Sequence, residues 1–201
     1  PYIREGVTER EIALEIEFYM RKLGADGNAF DPIVVTGGNG SQCHGIPGDT
    51  VIKKGDFITM DTGAMLRGYH SDMTRTVALG YVSDEQKAVY DTVLKAQLAA
   101  IDAVHAGVCC SDVDKVARDI IETPYPGTFG HGLGHGVGFE IHEWPRFSAR
   151  DNTICEPGMV ITVEPGIYIA GKCGVRIEDM IVVTEDGCRN LTHSPKALMI
   201  L

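Results

Sequence analysis

The sequence predicts an α+β fold built from two related halves. Two observations carry that expectation. Three stretches with helical periodicity are interleaved with short apolar runs, bounded by glycines, that read as strands turning back on themselves, a mixture typical of α+β architecture. The chain also repeats itself. "GDFITMDTG" (55–63) aligns without gaps with "GMVITVEPG" (158–166) at an offset of 103, and "GVTEREI" (6–12) resembles "GVCCSDV" (107–113) at an offset of 101. In each half a helix starts after Gly-Val, and an Ile-Thr strand ending in an acid and a glycine follows later. Two matches at nearly one offset, in one order, indicate an internal duplication with halves at roughly 1–105 and 106–201.

The elements follow in chain order. Residues 8–23 place Ile12, Ile16 and Tyr19 at helical spacing. Strands are expected at 32–36, 56–62 and 68–79. Residues 84–105 form a longer amphipathic helix, with Ser83 as its cap and Gln86 three positions on. A third helix covers 111–122, with Ser111 as its expected cap. Further strands fall at 158–164, 167–170 and 174–184. No linker or low-complexity segment interrupts the chain, so 1–201 reads as one domain.

Composition excludes several classes. Apolar residues make up 44% and charged residues 23%, the balance of a globular protein, and the net charge is -10 with no basic run. Nucleic acid and anionic membranes are therefore poor partners. No apolar stretch approaches the roughly 20 residues of a membrane span. Six cysteines show no CxxC pair or zinc-finger spacing in a chain large enough not to need staples. They read as reduced thiols and place the protein in the cytoplasm. The chain opens on Pro1, close before a helical pattern, and reads as a piece of a longer protein.

The acids on the apolar strands need explaining. Asp61 ends "FITMD" and Glu164 ends "MVITVE", at equivalent places in the repeat. Each half continues into a second strand with another acid, Asp72 in "GYHSDMTRTVALG" and Glu178 in "GVRIEDMIVVTEDG". A carboxylate on a core strand requires a cation or a hydrogen-bond network. Only Arg75 and Arg176 lie close by in sequence, too few for four acids. Some acids could instead face solvent on alternate strand positions. Their relation by duplication, and a nearby histidine cluster, weigh against that. "FGHGLGHGVGFEIHEWP" (129–145) holds His131, His135 and His142 among glycines that allow close approach.

Metal answers the problem. Four carboxylates balance two divalent cations. Carboxylates with one imidazole suit Mn, Co, Fe or Zn better than copper or a thiolate centre. Two such ions about 3.5–4 Å apart lower the pKa of a shared water towards neutrality. Histidines outside the ligand set are then free to bind substrate or carry protons.

Together with "CHGIPGD" (43–49), "MDTGAMLRGYHSDMTRTVALG" (60–80), "EPGMVITVEPGIYI" (156–169) and "GVRIEDMIVVTEDG" (174–187), these motifs make the chain resemble the pita-bread metallopeptidases over nearly its whole length. That family holds methionine aminopeptidase, aminopeptidase P and prolidase. The resemblance implies the creatinase/aminopeptidase fold, two pseudo-symmetric α/β halves around a curved, mainly antiparallel sheet. It implies two divalent metal ions held by Asp61, Asp72, His135, Glu164 and Glu178. It makes His44, His131 and His142 the non-ligand active-site histidines. His44 and His142 would contact the substrate carbonyl, His131 would lie near substrate or relay protons, and Glu164 would double as proton acceptor. His70, His105 and His193 have no motif role and read as surface or packing residues.

Two features select the Xaa-Pro branch by resemblance. His131 stands four residues before His135, where methionine aminopeptidases generally lack a histidine. Arg176 stands two residues before Glu178, as in aminopeptidase P and prolidase, where it either orients Glu178 or binds a dipeptide's carboxylate. The implied substrate is a peptide with proline in second position, cleaved by an aminopeptidase or a dipeptidase. The implied full-length protein is a homodimer with an N-terminal domain that this chain lacks. The alternatives are a methionine aminopeptidase and a non-catalytic pita-bread binding module. A creatinase-like hydrolase lacks the metal acids that are all present here.

Overall fold

A computed structural model describes all 201 residues. The first half opens with α1 (Glu9–Lys22). Thr8 accepts the Glu11 N–H through its hydroxyl while the Glu11 carboxylate accepts the Thr8 N–H, so two orphan donors are satisfied reciprocally. Strands β1 (Gly27–Asn28), β2 (Ile33–Thr36), β3 (Phe57–Thr62), β4 (Ala64–Leu66), β5 (Tyr69–His70) and β6 (Met73–Ala78) follow. Helices α2 (Asp84–Asp102) and α3 (Cys110–Glu122) lead into the second half. There β7 (Gly134–Gly136), β8 (Glu143–Phe147), β9 (Val160–Val163), β10 (Gly166–Ile169), β11 (Cys173–Arg176), β12 (Asp179–Thr184) and β13 (Gly187–Asn190) complete the chain. No helix is long and apolar enough to cross a membrane.

The pairing is antiparallel in every sheet. One sheet runs β2-β3-β6, another β13-β12-β9-β7-β8, and β10-β11 and β1-β4-β5 form smaller ribbons. The triplets β2-β3-β6 and β7-β9-β12 have the same order, and their strands begin 101, 103 and 106 residues apart. The halves meet where β6 passes β11 and β12. The Glu178 N–H donates to the Thr74 carbonyl at 3.1 Å, and Thr76 Oγ1 both accepts the Arg176 N–H and donates to the Arg176 carbonyl.

The larger core lies under α2 and α3. Val89, Val93, Ala96 and Ala100 of α2 and Val113, Ala117 and Ile121 of α3 pack with Ile161 and Val163 of β9, Val175 of β11 and Ile181 of β12, all buried. Each fully buried Val or Ile contributes roughly 1.5–3 kcal/mol. A smaller core, Ile12, Val34, Ile52, Ile58, Val77 and Leu79, serves the first half.

Three expectations need correction. The single strand over 68–79 is two, β5 and β6, broken at Ser71 and Asp72. The strand over 174–184 is likewise broken at Ile177 and Glu178, into β11 and β12. Each break turns an acid out of the regular ladder. Ser111 does not cap α3: Cys109 is the N-cap residue, without a side-chain bond, and Ser111 Oγ lies 3.2 Å from Cys109 Sγ. Strands β7 and β8 fall inside the glycine–histidine stretch, which lacks the alternating apolar pattern of a strand.

Candidate metal centre

Five donors converge from five places in the chain. Asp61 sits on β3, Asp72 and Glu178 at the two strand breaks, His135 on β7, and Glu164 just past β9. Gly134 makes one of these approaches possible: a methyl there would overlap the Thr162 carbonyl oxygen, so only glycine lets β7 run this close to β9. His135 Nε2 consequently lies 3.3 Å from Glu164 Oε1 and 3.5 Å from Asp72 Oδ2. Asp72, His135 and Glu178 each offer a donor atom within 4.8 Å of the others, all three side chains being buried.

Three of the four acids have one oxygen held by a side-chain donor, and three carboxylate oxygens have no partner. Thr74 Oγ1 donates to Glu178 Oε2 at 2.6 Å, Thr162 Oγ1 to Glu164 Oε1 at 3.1 Å, and Arg176 Nη2 to Asp61 Oδ2 at 2.7 Å. Asp61 Oδ1, Asp72 Oδ1 and Glu178 Oε1 are buried with no partner. Buried acceptors are ordinarily satisfied, and leaving one open costs about 1–3 kcal/mol, more for a charged group. Arg75 does not help these acids, because its guanidinium pairs with Asp179.

The imidazole makes the same demand. His135 Nδ1 lies 3.1 Å from the Gly136 carbonyl oxygen, which can only accept, so Nδ1 carries the hydrogen. The Nε2 lone pair then faces two carboxylate oxygens. Only a cation or an added proton reconciles that arrangement. The donor set, oxygen-rich with one imidazole, fits a divalent metal.

Electrostatics point the same way. Burial, then repulsion by Asp61 and Glu164, pushes the Asp72 carboxyl up to about 9. Burial raises Glu178 well above the usual carboxylate range and raises Asp61, against the pull of Arg176. Burial acts upward on Glu164 too, but His135, His131 and Arg176 together outweigh it and hold that carboxyl below its ordinary value. A bound cation favours the ionised form of all four.

The other histidines differ in freedom. His131 is occupied at both nitrogens: Nδ1 lies 2.8 Å from the Gly132 carbonyl oxygen and Nε2 2.8 Å from the Tyr168 hydroxyl. Burial lowers its pKa, which favours the neutral ring. Tyr168 in turn accepts from Arg176 Nη1 at 2.8 Å, so a hydrogen-bonded chain runs from His131 through Tyr168 and Arg176 to Asp61. His142 is exposed, its ring 4.3 Å from that of His135, and burial followed by His135 lowers its pKa. His44 is exposed on the loop after β2, its nearest polar contact Cys43 Sγ at 3.8 Å.

All nine sequence-predicted site residues line one cavity of about 380 Å³. Arg176 lines it differently from the carboxylate-binding expectation. It is 3% exposed, and its side-chain donors go to Thr74, the Cys43 carbonyl, Tyr168 and Asp61. His70, His105 and His193 lie outside the cavity. Sequence reasoning missed Tyr168, whose signal was a hydroxyl on an apolar hairpin, and Arg146, an exposed cation on the cavity wall. It also missed the apolar lining by Phe30, Ile33 and Ile141.

Comparison with known proteins adds to this geometry. Residues 1–185 match the family described as Metallopeptidase family M24. The chain is 45% identical over 198 residues to a Xaa-Pro dipeptidase of Pyrococcus furiosus, covering 98% of this chain and 57% of that protein. The solved Xaa-Pro dipeptidase from Bacillus anthracis superposes with a TM-score of 0.98 at 50% identity, over 100% of this chain and 57% of that one. The X-Pro aminopeptidase from Thermotoga maritima superposes at 0.97 with 46% identity, over 99% and 57% respectively. The chain thus spans under two thirds of the length of these relatives.

Proposed function

This chain belongs to metallopeptidase family M24, and from that premise we propose that its protein hydrolyses the peptide bond between an N-terminal residue and a following proline. In this reading Asp61, Asp72, His135, Glu164 and Glu178 hold two divalent cations of Mn, Co, Zn or Fe. The observation that carries it is the set of three buried carboxylate oxygens without partners, on Asp61, Asp72 and Glu178, in the cavity that His135 also lines. When bound, the cations supply a water of lowered pKa and an electrophile for the scissile carbonyl.

The chain's own residues do the rest. Glu164, ionised beside His135, accepts the proton that the water gives up and returns it to the departing proline nitrogen. His142 and His44, exposed on the cavity wall, donate to the substrate carbonyl and to the oxyanion that forms there. A single such donor is worth roughly 2.7–4 kcal/mol at comparable sites. Arg176 holds Asp61 in place, and the His131–Tyr168 arm fixes Arg176 from the other side. Phe30, Ile33 and Ile141 offer apolar surface to a side chain or a proline ring, and Arg146 offers a fork for a dipeptide's terminal carboxylate.

Support for the proline position comes from the arm through His131 and Arg176 and from the names of the relatives. Those names cover both a dipeptidase and an aminopeptidase. Reduced thiols support the cytoplasm, the oxygen-rich donor set supports manganese, and the family resemblance supports a homodimer. The chain is read as one catalytic domain with halves 1–105 and 106–201.

The experiment is hydrolysis of Xaa-Pro, Xaa-Pro-Yaa and Met-Ala-Yaa peptides by the full-length protein, with and without added Mn, Co or Zn. Metal-dependent cleavage of the proline peptides is the expected result. Preference for Met-Ala-Yaa replaces the reading with methionine aminopeptidase. Metal binding without hydrolysis leaves a non-catalytic module.

A further inference from the structure

Glu9 is the first residue of α1 and has no exposed surface. Its partners are nonetheless all neutral. Oε1 accepts the Thr36 amide N–H at 2.8 Å and Asn39 Nδ2 at 3.2 Å, and Oε2 accepts the Gly48 amide N–H at 3.1 Å and Asn39 Nδ2 at 3.5 Å. A buried acid without a cation is rare, because desolvation costs more than neutral donors usually return. The backbone dipoles at the start of α1 lower that cost without removing it.

The placement of the partners gives the carboxylate a task. Thr36 and Asn39 lie at one end of the segment 36–48, and Gly48 lies at the other. One carboxylate therefore closes the base of a loop, and His44 stands near its tip. Further out, Arg176 Nη1 donates to the Cys43 carbonyl at 3.2 Å and Ser41 Oγ accepts the Gly171 N–H at 3.2 Å. The His44 ring itself has only the contact with Cys43 Sγ. Its position is set by the loop backbone, and the loop's base is set by Glu9.

The second half contains a counterpart. Asp114, buried on α3, accepts the Leu133 N–H at 3.0 Å and pairs with Arg118, which donates to the Phe129 and His131 carbonyls. Each half thus uses an acid near the start of its first helix to hold the segment that carries a histidine of the cavity. The second clamp includes a cation and the first does not.

We propose that Glu9 is a positioning residue for His44: its carboxylate ties both ends of the 36–48 loop and so presents the imidazole to the cavity. The proposal rests on the reading of His44 as a substrate-contacting group. Glu9→Gln keeps the size of the side chain but turns an amide donor against one of the two backbone N–H groups.

Two measurements on the full-length protein test it. The first is amide hydrogen exchange with no substrate present. Glu9→Gln should accelerate exchange within 36–48 and leave α1 and the sheet cores as they were. The second is a double-mutant cycle on metal-loaded protein with an Xaa-Pro substrate. Glu9→Gln should lower kcat/KM about 10²-fold, the scale of a 1 Å misplacement, at unchanged metal content. In the His44→Ala background it should have little further effect. Additive losses in that background, or faster exchange throughout the fold, overturn the proposal. If Glu9→Gln does not fold, Glu9→Asp, one methylene shorter and able to reach one end only, goes through the same cycle. Absence of any Xaa-Pro hydrolysis in the parent protein removes the functional reading, while the exchange measurement still decides the clamp.

Discussion

Asp61 and Arg176 form an ion pair across the seam between the two halves, Oδ2 to Nη2 at 2.7 Å, with the guanidinium almost fully buried. One of the four clustered acids is thereby oriented by the protein itself. Its second oxygen is buried with nothing to bond.

Arg176→Lys keeps the charge and loses the fork. Because the arginine serves four partners within the protein, kcat should fall for Xaa-Pro and Xaa-Pro-Yaa alike, with KM little changed. Metal affinity should drop about 10–100-fold, as for other losses of an outer partner. A KM rise confined to dipeptides would restore a carboxylate-binding role. Steady-state kinetics and metal titration decide between the two.

Two divalent cations should bind per chain under metal-replete conditions, as elemental analysis reads them. Asp72→Ala and Glu178→Ala should each lose metal and activity together. Full activity in either variant removes that residue from the ligand set.

Without metal, the acid cluster should make the protein less stable in alkali than in mild acid. Asp61, Asp72 and Glu178 have raised carboxyl pKa values, mainly through burial, that of Asp72 reaching about 9. Such a carboxyl binds more protons folded than unfolded. Its contribution is complete below its unfolded value, about 4, and is lost as pH rises through the folded value. Glu164 is lowered and works the other way, one group against three. The Tm of chelator-treated protein should fall between about pH 5 and pH 9, and the gain on adding metal should grow over the same range. A Tm that rises with pH in the metal-free protein contradicts this account.

His142→Ala should retain both metals and lower kcat by roughly 10²–10⁴, the range for losing proton transfer or an oxyanion donor. Loss of metal along with activity would show that His142, and not His135 alone, ligates.

Gly134→Ala should push β7 away from β9, since the added methyl meets the Thr162 carbonyl. A cost of roughly 1–3 kcal/mol is expected for this overpacking, and metal affinity should weaken as His135 moves. Thermal unfolding and metal titration of one preparation read both.

What could be read from the sequence followed the strength of the local signal. The three helices announce themselves through periodicity, α2 also through its Ser83 cap, and Asp61 and Glu164 through the incongruity of an acid ending an apolar strand. The breaks at Asp72 and Glu178 were not legible, because each interruption involves the other half: the Thr74 carbonyl takes the Glu178 N–H and Met180 Sδ takes the Asp72 N–H. Strand β7 was hidden for a similar reason. "GHG" has no strand propensity, and it pairs because glycine fits against Thr162. The work of Tyr168 and Glu9 depends on partners about 27 to 39 residues away or on a shared hydroxyl, which spacing along a chain does not encode.

The seam between the halves has a consequence for the polypeptide as a whole. Asp61 and Asp72 lie before the α2–α3 connection; His135, Glu164, Glu178 and Arg176 lie after it. A chain cut between Asp102 and Cys110 would yield two fragments, neither with the full donor set. The first would also carry α2 with its apolar face, Val89, Val93, Ala96 and Ala100, stripped of the surface it covers. Complementation is therefore built into the architecture: the fragments should be driven together by that face. A metal that binds only the reunited pair should tighten their association as its concentration rises.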